Sequence, residues 1–136
     1  MYPEQLTIPM AKELTDNGFQ SLKTVEEVDE IISSKGTTLV VVNSVCGCAA
    51  ANARPGALLA SRHSKSPDRL ATVFAGVDHY ATARAREHML PYPPSSPSIA
   101  LFKDGQLVHV LERHQIEGRM AEMIAENLKM AFDKYC

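Results

Sequence analysis

The sequence predicts an α/β fold: a mixed central β-sheet flanked by helices on both faces. Three observations carry this. Thr37–Asn43 contains the unbroken apolar run Leu39-Val40-Val41-Val42, as expected of a strand covered on both sides. From there to Met89 helical and extended patterns alternate, an order that implies parallel strands joined by helical crossovers. Two further strands then meet at Asp104-Gly105, a two-residue turn suited to an antiparallel pair.

Taken in order, the first helix is expected over Glu4 to Asp16, with Leu6, Met10 and Leu14 on one stripe. Pro9 counts against its opening turns, so the helix can begin there. Thr24-Val25-Glu26-Glu27 has capping-box spacing and opens a second helix. Its apolar stripe is Val25, Val28, Ile31 and Ile32, and Gly36 ends it. After the buried strand, Ala49 to Ser61 is rich in Ala and Leu and helical, with a kink expected at Pro55-Gly56. Leu70 to Val77 reads as a strand. Asp78 then caps a helix from Tyr80 to Met89. Pro91, Pro93, Pro94 and Pro97 mark a rigid loop. Ser98–Lys103 and Gln106–Leu111 form the hairpin. A last helix is expected from Ile116 to Phe132, where Ile116, Met120, Met123, Ile124, Leu128 and Phe132 recur at helical spacing. Its methionines read as core fillers.

A length of 136 residues fits one compact domain, 1–136, with 1–36 as a helical extension within it. The formal charge is -2. No cluster of Lys and Arg interleaved with aromatics occurs, so neither nucleic acid nor an anionic membrane is an expected partner. Leu39–Val42 is far too short to span a bilayer, and Met1–Gln5 lacks the pattern of a secretory signal. A cytoplasmic protein is expected. Its three cysteines are Cys46, Cys48 and Cys136, too few for a secreted disulfide framework. Two closely spaced cysteines in a reducing compartment point to catalysis or metal binding.

Cys46-Gly47-Cys48 lies just after the buried strand and at the start of a helix. Unpaired N–H groups and the helix dipole there favour an anion, and the anion available is a thiolate. Gly47 lets the backbone bend tightly and leaves the sulfur accessible. Cys48 can attack a mixed disulfide formed on Cys46, or close a disulfide with it. The one-residue spacer makes a smaller ring than Cys-x-x-Cys does, which is expected to make the bond more easily opened. Two other readings stand beside exchange. The pair can be inert core cysteines next to Ala49, Ala50 and Ala51, or it can chelate a soft metal. No further ligand lies at a recognised zinc spacing. Pro97, in a loop just before a strand, is a position where a cis peptide after Ser96 would present backbone to a substrate, although trans is the commoner state of a loop proline.

Pro97-Ser98-Ile99-Ala100-Leu101-Phe102-Lys103-Asp104-Gly105 resembles the cis-proline strand and hairpin of thioredoxins. The strand, the cysteines and the Pro55 helix resemble their active-site helix. Asn43-Ser44-Val45-Cys46-Gly47-Cys48-Ala49-Ala50, with Ala53-Arg54-Pro55, resembles the bacilliredoxin family more closely. So do Phe74-Ala75-Gly76, Pro94-Ser95-Ser96-Pro97-Ser98, Arg113-His114 with Ile116-Glu117-Gly118, and Ala131-Phe132-Asp133 before Cys136. The resemblance implies a thioredoxin-like fold. It also implies removal of bacillithiol from mixed disulfides on client proteins, with some disulfide isomerase activity. Carried onto this chain, it makes Cys46 the attacking thiol and Cys48 the resolving thiol. Pro97 becomes the cis-proline, and Gly47, Ser96 and Pro97 position the substrate. No bound cofactor is needed, because the chemistry is sulfur exchange. Thioredoxins bury an acid six residues before the first cysteine; here that position is Val40, so no carboxylate there can take a proton from Cys48.

Weaker expectations complete the reading. Asn43 and Ser44 order the loop through side chain–backbone hydrogen bonds. Arg54, about two helical turns past the cysteines, can meet an anionic ligand but reads first as a solvated surface residue, and His79, His109 and His114 read as structural or surface histidines before proton carriers. Cys136, at a mobile end, reads either as an incidental exposed thiol or as one that can form a mixed disulfide. The competing functions are disulfide isomerisation, a thiolate metal carrier or sensor, and a redox-inert scaffold that binds partners through Pro91–Pro97.

Overall fold

The computed structural model describes residues 2–136. Among them the sheet has five strands: β1 (Gln20–Ser21), β2 (Thr37–Asn43), β3 (Arg69–Phe74), β4 (Ser98–Lys103) and β5 (Gln106–Leu111). Their spatial order is β1-β3-β2-β4-β5. β3 pairs in parallel with β1 and β2, whereas β4 is antiparallel to β2 and β5. The sheet is therefore mixed, as expected. Every residue of β2 is buried, and its side chains divide between two cores because successive residues point to opposite faces. Leu39 and Val41 join the core under α1 (Glu4–Thr15), α3 (Arg54–Ser61) and α6 (Ala121–Tyr135). Val40 and Val42 join the core under α2 (Val25–Ser33) and α4 (His79–His88). The Asp104-Gly105 turn has φ of 51° and 83°, the left-handed pair that a two-residue hairpin needs.

The α2 capping box forms as its sequence predicts. Glu27 N–H donates to Thr24 Oγ1 at 3.1 Å, and Thr24 N–H to Glu27 Oε1 at 3.0 Å. Elsewhere the structure corrects the elements. Residues 2–36 supply β1 as well as helices, and so extend the sheet edge. α1 runs through Pro9. It buries Thr7 and Leu14 while Leu6 is exposed, so the stripe begins one residue later than the apolar residues suggest. β3 stops at Phe74 because Gly76, at φ 86°, turns the chain. Asp78 does not cap α4 through its side chain. Its Oδ2 accepts instead from Phe74 N–H at 3.2 Å, and its Oδ1 from Lys23 Nζ at 3.2 Å.

The expected helix over 116–132 is two helices. α5 (Arg113–Ile116) ends before Gly118, which takes φ 77°, and α6 starts afresh at Ala121. That break resets the helical phase. Ile124, Leu128 and Phe132 stay in the core, but Met120, Met123 and Met130 are left on the surface and are not core fillers. α3 also differs from a simple proline kink. The segment ahead of it, Ala49–Ala53, is a π-helical turn closed by Arg54 N–H on Ala49 O. Pro55 then falls at the start of α3, where its missing N–H costs least.

Candidate active site

β2 delivers the chain into a short loop, Ser44 to Cys46, at the carboxyl end of the strand. The Cys46 carbonyl accepts from Ala49 N–H at 2.9 Å and from Ala50 N–H at 3.3 Å, so Cys46 stands in the helix-capping position. Its sulfur takes the place of a capping oxygen, accepting from Cys48 N–H at 3.4 Å. Cys46 and Cys48 are joined as a disulfide with their Cα atoms 5.3 Å apart. Both are half-buried, and Gly47 between them is exposed. The bend does not require glycine. Gly47 is not among the residues with positive φ, and a Cβ added to it would meet nothing within 4 Å.

Three buried polar side chains hold the loop. Asn43 Oδ1 accepts from Ser44 N–H at 2.8 Å, and Ser44 Oγ accepts from Cys46 N–H at 3.0 Å, the local bonding expected of these residue types. The third is Arg54, which is not on the surface: it is 1% exposed. It donates from Nη1 to Asn43 Oδ1 at 2.9 Å and to the Ser44 carbonyl at 3.0 Å, and from Nε to Glu13 Oε2 at 2.6 Å. A fixed fork of donors suits this task, because one planar group ties the end of β2, the cysteine loop and α1 together.

The Ser96–Pro97 peptide is cis, as is Leu90–Pro91. Ser98 pairs with Val42, which brings Pro97 to the end of β2 from which the cysteine loop departs. Arg113 bridges the two segments. Its Nη1 donates to the Ser96 carbonyl at 3.3 Å and its Nη2 to Cys46 Sγ at 3.3 Å, while Nε meets the exposed Glu117 carboxylate at 3.1 Å. Sequence reasoning assigned Arg113 no role of its own. The available signal was its place in the Arg113-His114 segment, which resembles bacilliredoxins. Arg86 also faces the cysteine loop and was not anticipated. Nothing in the sequence sets it apart from Arg84 and Glu87 on the same helix. Burial pushes the Arg86 guanidinium below its ordinary value.

The remaining expected residues lie elsewhere or act passively. His79 and His114 are exposed, and His109 bonds to Asn127 Oδ1 at 2.6 Å; none of the three hydrogen-bonds to a cysteine. Val40 is fully buried between Ala71 and Ala100. Among the described residues no group of three or more His, Cys, Asp or Glu side chains is placed to hold a metal ion. No helix among them is long and apolar enough to cross a membrane.

The comparisons with known proteins agree with this geometry. A family model described as "Disulphide isomerase" matches residues 2–136. A bacilliredoxin of Cytophaga hutchinsonii is 59% identical over 134 residues, covering 98% of this chain and 99% of that one. One from Halalkalibacterium halodurans is 52% identical over 136 residues, covering 99% and 94%. Among solved structures, a thioredoxin from Halobacterium salinarum has a TM-score of 0.62 at 16% identity, over 88% of this chain and 91% of that one. The oxidised thioredoxin of Plasmodium falciparum has a TM-score of 0.58 at 20% identity, over 87% and 98%. At such identities the structural likeness speaks for the fold. A thioredoxin-like fold with adjoining cysteines at the mouth of its helix, in a chain this close to redox proteins, is a thiol–disulfide oxidoreductase. The chain belongs to the bacilliredoxin family.

Proposed function

We propose that this protein removes bacillithiol from mixed disulfides on client proteins in the cytoplasm, with Cys46 as the attacking thiol and Cys48 as the resolving thiol. The observation that carries the reading is the pair of donors at Cys46 Sγ, the Cys48 N–H at 3.4 Å and the Arg113 guanidinium at 3.3 Å. Donors and positive charge at that sulfur favour the thiolate, which is the attacking form.

The steps balance as sulfur exchange. The Cys46 thiolate attacks the small-thiol sulfur of the mixed disulfide. A bond forms between that sulfur and Cys46, the client–sulfur bond breaks, and the client leaves as a thiolate. The Cys48 thiolate then attacks Cys46 Sγ, expelling the small thiol and forming the Cys46–Cys48 disulfide. Two equivalents of an external thiol reduce that disulfide and are themselves oxidised to a disulfide. Alternatively, free bacillithiol attacks the adduct on Cys46 and leaves as its own disulfide. The backbone at Ser96 and Pro97 offers the incoming disulfide an edge beside Cys46, and Gly47 leaves room for it. Val40 gives the resolving step no buried acid, so solvent or the small thiol itself carries the proton.

Intact-mass measurement after mixing with a bacillithiolated client, and no other thiol, tests this assignment. Wild type should end as the internal disulfide with the small thiol free. Cys48→Ser should gain one adduct and keep it. Cys46→Ser should gain none, because a hydroxyl is a weak nucleophile near neutral pH. A Cys46→Ser variant that takes the adduct at the wild-type rate would end this reading. The description of the matching family model supports a second reading, isomerisation of client disulfides. Recovery of activity by a client with scrambled disulfides, without bacillithiol, distinguishes it.

A further inference from the structure

An open cavity of about 320 Å³ adjoins Cys46, on the scale of small-ligand pockets, roughly 300–1,000 Å³. Ser44, Ser96 and Tyr2 contribute to its wall together with two arginines, Arg86 and Arg113. No Asp or Glu lines it among the described residues. Arg113 divides its donors among Cys46 Sγ, the Ser96 carbonyl and Glu117. Arg86 has no such company. Its side chain makes no hydrogen bond or ion pair among the described residues, and its Nε is buried without a partner.

A guanidinium taken partly out of water and left unpaired costs free energy that an incoming anion would recover. Its planar fork fits a carboxylate through two parallel hydrogen bonds. Arg86 is thus a cation with its donors uncommitted, in a concave wall shared with the reacting sulfur. The second cation of that wall already touches the sulfur. We infer that this cavity receives the small-thiol half of the mixed disulfide and selects thiols that carry carboxylate groups, with Arg86 as the residue that reads the charge. The inference rests on the exchange reading above, because attack at the small-thiol sulfur is what leaves that half attached to Cys46 and beside the cavity.

The test compares adducts that differ in charge. A model client carries, on one cysteine, mercaptosuccinate with two carboxylates, thioglycerol with none, or cysteamine with a cation. Transfer to the protein is followed by stopped-flow sampling and mass measurement. Wild type should take mercaptosuccinate about tenfold faster than thioglycerol, the scale of one charge-assisted hydrogen bond, and cysteamine most slowly. Added salt should shrink the ratio. Arg86→Gln should bring the mercaptosuccinate-to-thioglycerol ratio close to one, and Arg86→Lys should keep part of it. Equal wild-type rates for the three adducts would overturn the inference while leaving exchange itself intact. So would an Arg86→Gln variant that is slowed equally on all three, because Arg86 would then act only through the fold. Should Arg86→Gln fail to fold, the wild-type charge order and its salt dependence, read together with Arg86→Lys, still decide the matter. Failure of wild type to take any adduct would overturn the exchange reading and the inference together.

Discussion

The Arg54 guanidinium meets the Asn43 side chain, the Ser44 carbonyl and Glu13 at the base of the cysteine loop. Each bond restrains a segment that would otherwise leave β2 freely, so Arg54 sets where Cys46 begins the helix although it does not touch the sulfur. Lysine in its place keeps the charge but loses the fork, and it leaves buried acceptors unmet. Arg54→Lys is expected to lower stability by about 1–3 kcal/mol and to slow adduct transfer more than its loss of folded protein explains. Urea melts paired with transfer rates at full folding check this. Wild-type transfer rates in a destabilised Arg54→Lys would separate the loop clamp from function. At this scale the sequence was partly misleading. An arginine about two turns past the cysteines looks solvated, because burial depends on α1 folding over it, and α1 comes from residues some forty positions earlier.

Helix contacts depend on residues whose size matters more than their chemistry. At Gly56, an added Cβ would sit 2.6 Å from Ile124 Cγ2 and 2.8 Å from Ile124 Cβ, so α3 approaches α6 as closely as it does only because glycine is there. Gly56→Ala should cost about 1–3 kcal/mol through overpacking, outweighing the gain in helix propensity; thermal melts measure the difference. A melting temperature that rises would show that α6 yields easily. On the opposite face, Asp29 of α2 accepts from Arg84 Nε at 2.6 Å and lies 2.8 Å from His88 Nε2. Its hydrogen bond with Arg84, then that with His88, holds the carboxyl below its ordinary value of 3.8. A depressed folded-state value means the contribution is fully present above the unfolded carboxyl's value. It is lost as pH falls through the lower, folded one. The stability gap between wild type and Asp29→Asn should therefore be widest near neutral pH and close in acid below that value. Denaturation curves from pH 6 down to about 2 test it, and a gap that widens in acid would contradict the assignment.

The whole molecule separates its thiols. β2 runs from Thr37 to Asn43, a span of about 20 Å at the usual rise per residue. Cys46 follows its far end, whereas Cys136 lies against Thr37 at the near end. Cys136 thus has no route to the Cys46–Cys48 pair within one chain. Burial pushes its thiol above the ordinary value, which lowers the thiolate fraction near neutral pH. Alkylation of the reduced protein should modify Cys46 well before Cys136, and Cys136→Ser should leave adduct transfer at the wild-type rate. Peptide mapping after timed iodoacetamide treatment gives the order. Cys136 is exposed, so its slower reaction rests on the raised thiol alone, and faster labelling of Cys136 would contradict that.

The sheet, the covering helices and the cysteine pair were legible in the sequence because each rests on local pattern. A run of four apolar residues makes a buried strand, Asp104-Gly105 makes a turn, and cysteines after such a strand fall at a helix mouth. The two-residue β1 has no pattern of its own and exists only because β3 offers it an edge. The π-helical turn at Ala49–Ala53 and the break at Gly118 depend on backbone angles that composition does not specify. For the site, the sequence by itself pointed to the atoms proposed to react, the sulfurs of Cys46 and Cys48, since only sulfur can do this chemistry. Tertiary structure decided what surrounds them. Arg54, Arg86 and Arg113 come from three different helices, and an arginine's role follows from what the fold places opposite its guanidinium. That placement is a long-range property of packing, to which the spacing of arginines along the chain gives no guide.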